Sequence, residues 1–273
     1  MIRCVYTDLD GTLLGHGASL FRDADGNFTL LPARALEACH RAGVEVVIKS
    51  GRRRAQVMED ARLLGQTSYI FEVGSGMVID GEESFLTGDW QPRDGRTIHA
   101  QIEESGAPAL LLERHPGRLE YHVPFHTGRE VSHLMRGLVD VDAANVLLAE
   151  AGHGSLRLVD NGAISPKDSL PGLEGPPHSY HLIPAGASKA RAVEAHMRAR
   201  GYAPEDCIAV GDSREDLDVA AVVGRFFVVA NAVERDPGVR AAVAERPNVE
   251  VTEARNGEGF YEAVVRSLAE ARS

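Results

Sequence analysis

Short apolar runs that stop abruptly in polar clusters, with helical stretches between them, constrain this chain most. Ile2 to Thr7 ends in Asp8-Leu9-Asp10-Gly11-Thr12-Leu13-Leu14. Val44 to Ile48, a β-branched run, ends in Lys49-Ser50-Gly51-Arg52, and Tyr69 to Phe71 ends near Gly74-Ser75-Gly76. Between them, Pro32 opens a helix through Ala42 with Gly43 as its stop, and a second helix carries Val57, Met58, Ala61 and Leu64. A strand, helix, strand, helix, strand order reads as a parallel sheet with right-handed crossovers. Fully apolar strands fit a sheet buried on both faces. In such sheets chemistry sits beyond the carboxyl ends of the strands, where these polar clusters fall.

The alternation breaks at about Gly81 and resumes at about Gly186. The intervening stretch mixes strand-like pieces (Ala109 to Leu112, Leu119 to Val123, Leu156 to Val159, Ser179 to Ile183) with helical ones, and a loop crowded with Pro171, Pro176 and Pro177. The expected fold class is α/β: a Rossmann-like parallel sheet core with an inserted α/β cap domain. Residues 1–81 and 186–273 form the core and residues 82–185 the insertion, at a plausible domain size. After the insertion come a helix from Ser188 to Arg200, a strand from Cys207 to Val210 ending in Gly211-Asp212-Ser213-Arg214-Glu215-Asp216, and a strand from Phe226 to Val229 ending in Ala230-Asn231. Asp25-Gly26, between Leu20-Phe21 and Phe28-Thr29-Leu30, reads as a hairpin turn.

Composition narrows the function. The formal net charge is −11 over 273 residues, which argues against nucleic acid as a partner. No apolar stretch approaches the length of a membrane span, so no membrane role is expected. Three widely spaced cysteines, Cys4, Cys39 and Cys207, read as free thiols in a reducing compartment, hence a cytoplasmic protein.

Four carboxylates fall at expected strand ends: Asp8, Asp10, Asp212 and Asp216. Brought together, they would repel one another and need a cation. Oxygen-only ligation points to Mg²⁺ rather than zinc, with substrate phosphate completing the shell. Ser50 and the amides beside Gly11 and Gly51 are candidate phosphate donors, and Lys189 adds a cation. Gly74-Ser75-Gly76 is a poor dinucleotide fingerprint, because Ile79 stands where the third glycine belongs.

These residues resemble the four motifs of the haloacid dehalogenase superfamily in its aspartyl-phosphate phosphatase branch. The motifs are Asp8-Leu9-Asp10-Gly11-Thr12-Leu13, then Ser50-Gly51-Arg52, then Lys189, then Gly211-Asp212-Ser213-Arg214-Glu215-Asp216. They stand in the right order and span the whole core. The insertion resembles the αβ cap of the sugar-phosphate-phosphatase-like members, such as those acting on sucrose phosphate or mannosyl-3-phosphoglycerate.

The resemblance implies that Asp8 is the nucleophile and Asp10 the general acid and base. It implies that Mg²⁺ is held by Asp8, the Asp10 carbonyl and Asp212, with Asp216 in support. Ser50, Gly51, Lys189 and Asn231 are the expected phosphate and substrate contacts. The branch usually has Asn where Glu215 stands, so Glu215 is expected either to adjust the metal or to face solvent. The insertion carries eight histidines (His99, His115, His122, His126, His133, His153, His178, His181), expected to read substrate or lie at the surface. The implied function is Mg²⁺-dependent hydrolysis of a small phosphorylated metabolite, a sugar phosphate, through an aspartyl phosphate. The rival readings are a phosphosugar mutase and a phosphometabolite-binding module without catalysis.

Overall fold

The structure is a computed structural model and describes residues 2–164 and 169–270. The elements run β1 (Cys4–Thr7), α1 (Leu31–Ala42), β2 (Glu45–Lys49), α2 (Arg54–Leu63), β3 (Ser68–Phe71), β4 (Gly76–Ile79) and β5 (Glu82–Phe85). Then follow α3 (Ile98–Glu104), α4 (Ala107–Arg114), β6 (Leu119–Tyr121), β7 (His133–Gly137), α5 (Val141–Glu150), β8 (Leu156–Ala163) and β9 (His178–Pro184). The chain continues with α6 (Lys189–Arg200), β10 (Cys207–Gly211), α7 (Arg214–Leu217), β11 (Arg225–Val228), α8 (Ala230–Arg235), α9 (Pro237–Ala244), β12 (Val249–Val251) and α10 (Asn256–Glu270).

The large sheet has eight strands in the order β12-β11-β10-β1-β2-β3-β4-β5. The strands from β12 to β3 pair in parallel, while β4 and β5 add an antiparallel hairpin at one edge. The hairpin carries this sheet past residue 81, so β5 belongs to the large sheet. Alternation along β1 explains the layering. Val5 faces Ala35 and Cys39 of α1 and Phe260 and Val264 of α10. Cys4 and Tyr6 face Ala192, Val193 and Met197 of α6.

From β1 the chain winds through β2 to β3 on one side, and from β10 through β11 to β12 on the other. The order reverses between β1 and β10, and a doubly wound sheet opens its crevice at that switch point. Asp8 and Asp212 are the first residues past the carboxyl ends of those two strands.

The second sheet has four strands in the order β6-β7-β9-β8, all antiparallel neighbours. One face packs Met135, Leu158, Tyr180 and Leu182 against α3, α4 and α5. Two local expectations fail, and one strand is additional. Ala109 to Leu112 is part of helix α4, entered through Gly106 with Pro108 in its first turn. β7 was not anticipated. The Asp25-Gly26 segment forms no hairpin strands. Asp23 Oδ1 instead accepts from the Asp25 and Asn27 amides, closing a side-chain turn beneath a single bridge between Arg22 and Phe28.

Candidate active site

The loop after β1 turns sharply because Gly11 takes φ +82°, a left-handed value that favours glycine. A Cβ there would lie 2.1 Å from Asp212 Oδ2, so only glycine lets the two loops meet. Thr12 Oγ1 then donates to Asp212 Oδ1 at 3.1 Å. Ser213 caps α7, its hydroxyl accepting from the Asp216 amide, while Asp216 Oδ2 accepts from the Ser213 hydroxyl. This reciprocal cap fixes Asp216 beneath the β10 loop.

Two lysines meet these carboxylates. Lys189, the first residue of α6 after the N-cap Ser188, places Nζ 3.3 Å from Asp8 Oδ1, 3.0 Å from Asp216 Oδ1 and 3.4 Å from Glu215 Oε2. Lys49, at the end of β2, donates to Asp216 Oδ1 and is fully buried. Lys49 was not among the expected site residues. Its one sequence signal is a charge closing an otherwise apolar strand. Glu215 is buried rather than solvent-facing, and its Oε1 accepts from the Lys189 amide at 3.0 Å.

The electrostatics follow from four carboxylates, Asp8, Asp212, Glu215 and Asp216, around two ammonium groups. Burial pushes Asp8 up to about 6 against the pull of Lys189. Burial, then the Asp8 and Asp216 charges, push Asp212 up to about 8. Burial likewise raises Glu215 to about 6. For Asp216, burial is overridden by Lys189 and Lys49, which hold it well below the carboxylate range. Burial would depress Lys189, but Asp216, Asp8 and Glu215 raise it well above its ordinary value.

Carboxylate oxygens of Asp8, Asp212 and Asp216 lie within 4.8 Å of one another. The donors are hard oxygens, and the cluster carries two more anionic than cationic groups, so these residues fit a divalent cation such as Mg²⁺. Asp216 already spends both oxygens on Lys49, Lys189 and Ser213, which suits a supporting place. The Asp10 side chain lies outside this group. Both its oxygens are taken by Arg52, Nε to Oδ2 at 2.7 Å and NH2 to Oδ1 at 2.6 Å.

The other expected residues divide. Ser50 is buried at the end of β2, its hydroxyl accepting from the Arg52 amide at 3.1 Å. Gly51 touches the second sheet, its carbonyl accepting from Arg129 at 3.1 Å. Asn231, expected to contact phosphate or substrate, has both ends of its amide engaged by main chain. Nδ2 donates to the Gly11 carbonyl at 2.9 Å and Oδ1 accepts from the Asn256 amide at 2.8 Å. It holds the first loop to α10.

The histidines between β5 and α6 serve several ends. His99 and His133 stack at 3.8 Å, and His178 pairs with Asp160. Among the described residues, the two groups able to hold a metal are the one above and Cys4, Glu45 and His196 at the far end of the sheet. Glu45 is engaged by Ser68, Arg200 and Tyr202.

Residues 167–242 match the family of haloacid dehalogenase-like hydrolases. A phosphoglycolate phosphatase of Archaeoglobus fulgidus is 25% identical over 265 residues, covering 96% of this chain and 95% of that protein. Its counterpart in Halorubrum lacusprofundi is 28% identical over 218 residues, covering 77% and 83%. Among solved structures, the sucrose-phosphatase of Synechocystis, in complex with sucrose and phosphate, superposes with a TM-score of 0.69 at 15% identity over 98% of both chains. A protein of Thermoplasma acidophilum superposes with a TM-score of 0.66 at 17% identity, covering 98% of this chain and 99% of that one.

The chain thus shares its fold with these structures and, over residues 167–242, the pattern of the haloacid dehalogenase-like hydrolases. The relatives that span most of its length are named phosphoglycolate phosphatases.

Proposed function

We propose that the chain is a Mg²⁺-dependent phosphomonoester hydrolase that works through an aspartyl phosphate on a small phosphorylated metabolite, a sugar phosphate. The observation that carries this reading is Asp8 beside Lys189 and Asp212 at the switch point. An intact nucleophile with a neighbouring cation and hard-oxygen ligands is more than phosphate binding requires.

Asp8 attacks phosphorus through a carboxylate oxygen, and the bond from phosphorus to the leaving oxygen breaks. Asp10, protonated once one of its oxygens leaves Arg52, gives its proton to that oxygen, releasing an alcohol. Asp10 then takes a proton from water as the water oxygen attacks the aspartyl phosphate, which yields inorganic phosphate and restores Asp8. Lys189 and the Ser50 hydroxyl hold the phosphoryl oxygens and offset their charge. Bound by Asp8, the Asp10 carbonyl and Asp212, Mg²⁺ would shield the nucleophile from its anionic target and stabilise charge on the transferring group. Asp216, gripped by Lys49, steadies Asp212 and Lys189. The segment that follows β5, residues 86–185, acts as a cap that excludes bulk water and meets the leaving group.

The test is turnover of a phosphomonoester panel with Mg²⁺ in ¹⁸O-water. Label is expected in the released phosphate, and Asp8→Asn is expected to lower kcat by at least about 10³-fold. Undiminished turnover in Asp8→Asn, or phosphoryl transfer to a second sugar with no label in phosphate, would remove this reading.

A further inference from the structure

The second sheet turns one histidine toward the catalytic loops. In β9, Tyr180 and Leu182 point into the helix-covered face, so His181 between them points to the opposite face. There it meets Gly51. A Cβ built on Gly51 would lie 3.0 Å from His181 Nε2 and 3.0 Å from Asn161 Nδ2. The imidazole edge therefore reaches the loop whose preceding residue, Ser50, is assigned to phosphate.

Neighbouring hydrogen bonds fix which ring nitrogen carries the proton. Glu72 collects donors: the amides of Glu130, Val131 and Ser132 at 2.8, 3.1 and 2.6 Å, and the Ser132 hydroxyl at 2.9 Å. The single hydroxyl proton of Ser132 is thus committed to Glu72. Ser132 Oγ accepts from Arg129 NH1 at 2.9 Å and faces His181 Nδ1 at 3.2 Å. With no second proton on Ser132, Nδ1 must be the donor, which leaves Nε2 as a bare lone pair. Burial, then the nearby Arg129, Lys189 and His122, drive the imidazole well below its ordinary value, so it stays neutral. Nε2 is buried and, among the described residues, has no hydrogen-bond partner.

A buried acceptor without a donor costs free energy unless something supplies one. Arg129 and Lys189 disfavour a cationic donor here, and a carboxylate would set lone pairs against a lone pair. A neutral hydroxyl fits. We propose that His181 is a specificity-determining residue whose Nε2 accepts a hydrogen bond from a hydroxyl of the leaving alcohol, so that the site selects phosphorylated polyols and sugars over phosphomonoesters that offer only hydrocarbon or carboxylate. The proposal rests on the phosphatase reading above. It also sets this chain apart from relatives named for phosphoglycolate, whose leaving group has a carboxylate and no further hydroxyl.

The test compares kcat/KM of the Mg²⁺-supplied wild type, His181→Phe and His181→Gln on glycerol 3-phosphate, n-propyl phosphate and 2-phosphoglycolate, with p-nitrophenyl phosphate as a general substrate. The wild type is expected to favour glycerol 3-phosphate over n-propyl phosphate by roughly 10- to 100-fold. His181→Phe should bring that ratio within about threefold of unity, while His181→Gln, whose amide oxygen accepts, should keep a clearly larger ratio. A wild-type ratio near one, a ratio unchanged in His181→Phe, or wild-type preference for 2-phosphoglycolate would overturn the proposal. Should His181→Phe fail to fold, the wild-type and His181→Gln ratios decide. Hydrolysis of p-nitrophenyl phosphate without hydroxyl preference defeats this inference alone, whereas no turnover of any of the four defeats the phosphatase reading.

Discussion

Arg52 grips both carboxylate oxygens of Asp10, and its remaining terminal nitrogen reaches Asp60 Oδ2 at 2.8 Å. A planar guanidinium in two parallel hydrogen bonds fixes orientation as well as charge. Asp10 is thereby set in one rotamer at the mouth of the crevice. Arg52→Met is expected to lower kcat by roughly 10- to 100-fold, because a displaced carboxylate takes the proton of the attacking water poorly. Steady-state kinetics on any turned-over phosphomonoester checks this. A rise in kcat would show that Arg52 restrains Asp10 instead.

Gly11 offers a sharper probe of the crevice. Gly11→Ala forces a methyl group to within 2.1 Å of Asp212 Oδ2 at a backbone angle alanine rarely adopts. The Asp212 carboxylate must move aside. Mg²⁺ affinity, read by calorimetry, should fall by at least about tenfold, with activity falling alongside, while far-ultraviolet circular dichroism stays that of the wild type. Unaltered affinity would separate Gly11 from the metal-binding geometry.

The raised carboxylates give stability a pH dependence with a definite sign. Asp8 and Asp212 titrate at about 6 and about 8 in the folded chain, against ordinary values near 4 in the unfolded one. Between those limits the folded chain holds protons that the unfolded chain has released. Stability without metal should therefore fall as pH rises from about 4 to about 8 and level off beyond. Mg²⁺ favours the ionised carboxylates and should flatten the decline. Thermal unfolding across this range, in EDTA and in excess Mg²⁺, checks it. Parallel curves would speak against an ion among these residues.

Glu72 ties the two sheets. Its buried carboxylate follows β3, and its four donors lie at Glu130, Val131 and Ser132, just before β7. Glu72→Ala strands those donors and should cost roughly 3 kcal/mol in chemical denaturation. Because Ser132 orients His181, the same variant should also blunt discrimination between hydroxylated and plain phosphate esters. A variant as stable as the wild type would show that water replaces the carboxylate without loss.

The large sheet was legible in the sequence because β1, β2 and β10 are short buried runs with abrupt polar ends, and the order of their loops located the crevice. Ala109 to Leu112 misled because a four-residue apolar run has no period of its own. Pro108 in the first turn and alanine and leucine preference tip it to helix. β7, His-Leu-Met-Arg-Gly, lacks β-branched residues and is a strand because β6 and β9 flank it. Of the site, Asp8, Lys189, Asp212 and Asp216 were visible as motif residues. Lys49 and Glu72 were not, since each acquires its partner only across long stretches of chain. Asn231 was visible, but its place against Gly11 and Asn256 was not.

Asp8 and Asp212 sit on adjacent central strands although 212 − 8 = 204 residues separate them. Such a pairing is the slowest kind to form, because so much chain must be ordered to close it. During synthesis, Asp8 leaves the ribosome 204 residues ahead of Asp212 and waits for it. Until β10 slots in beside β1, the two carboxylates stay apart, and the crevice between them arrives in one late step.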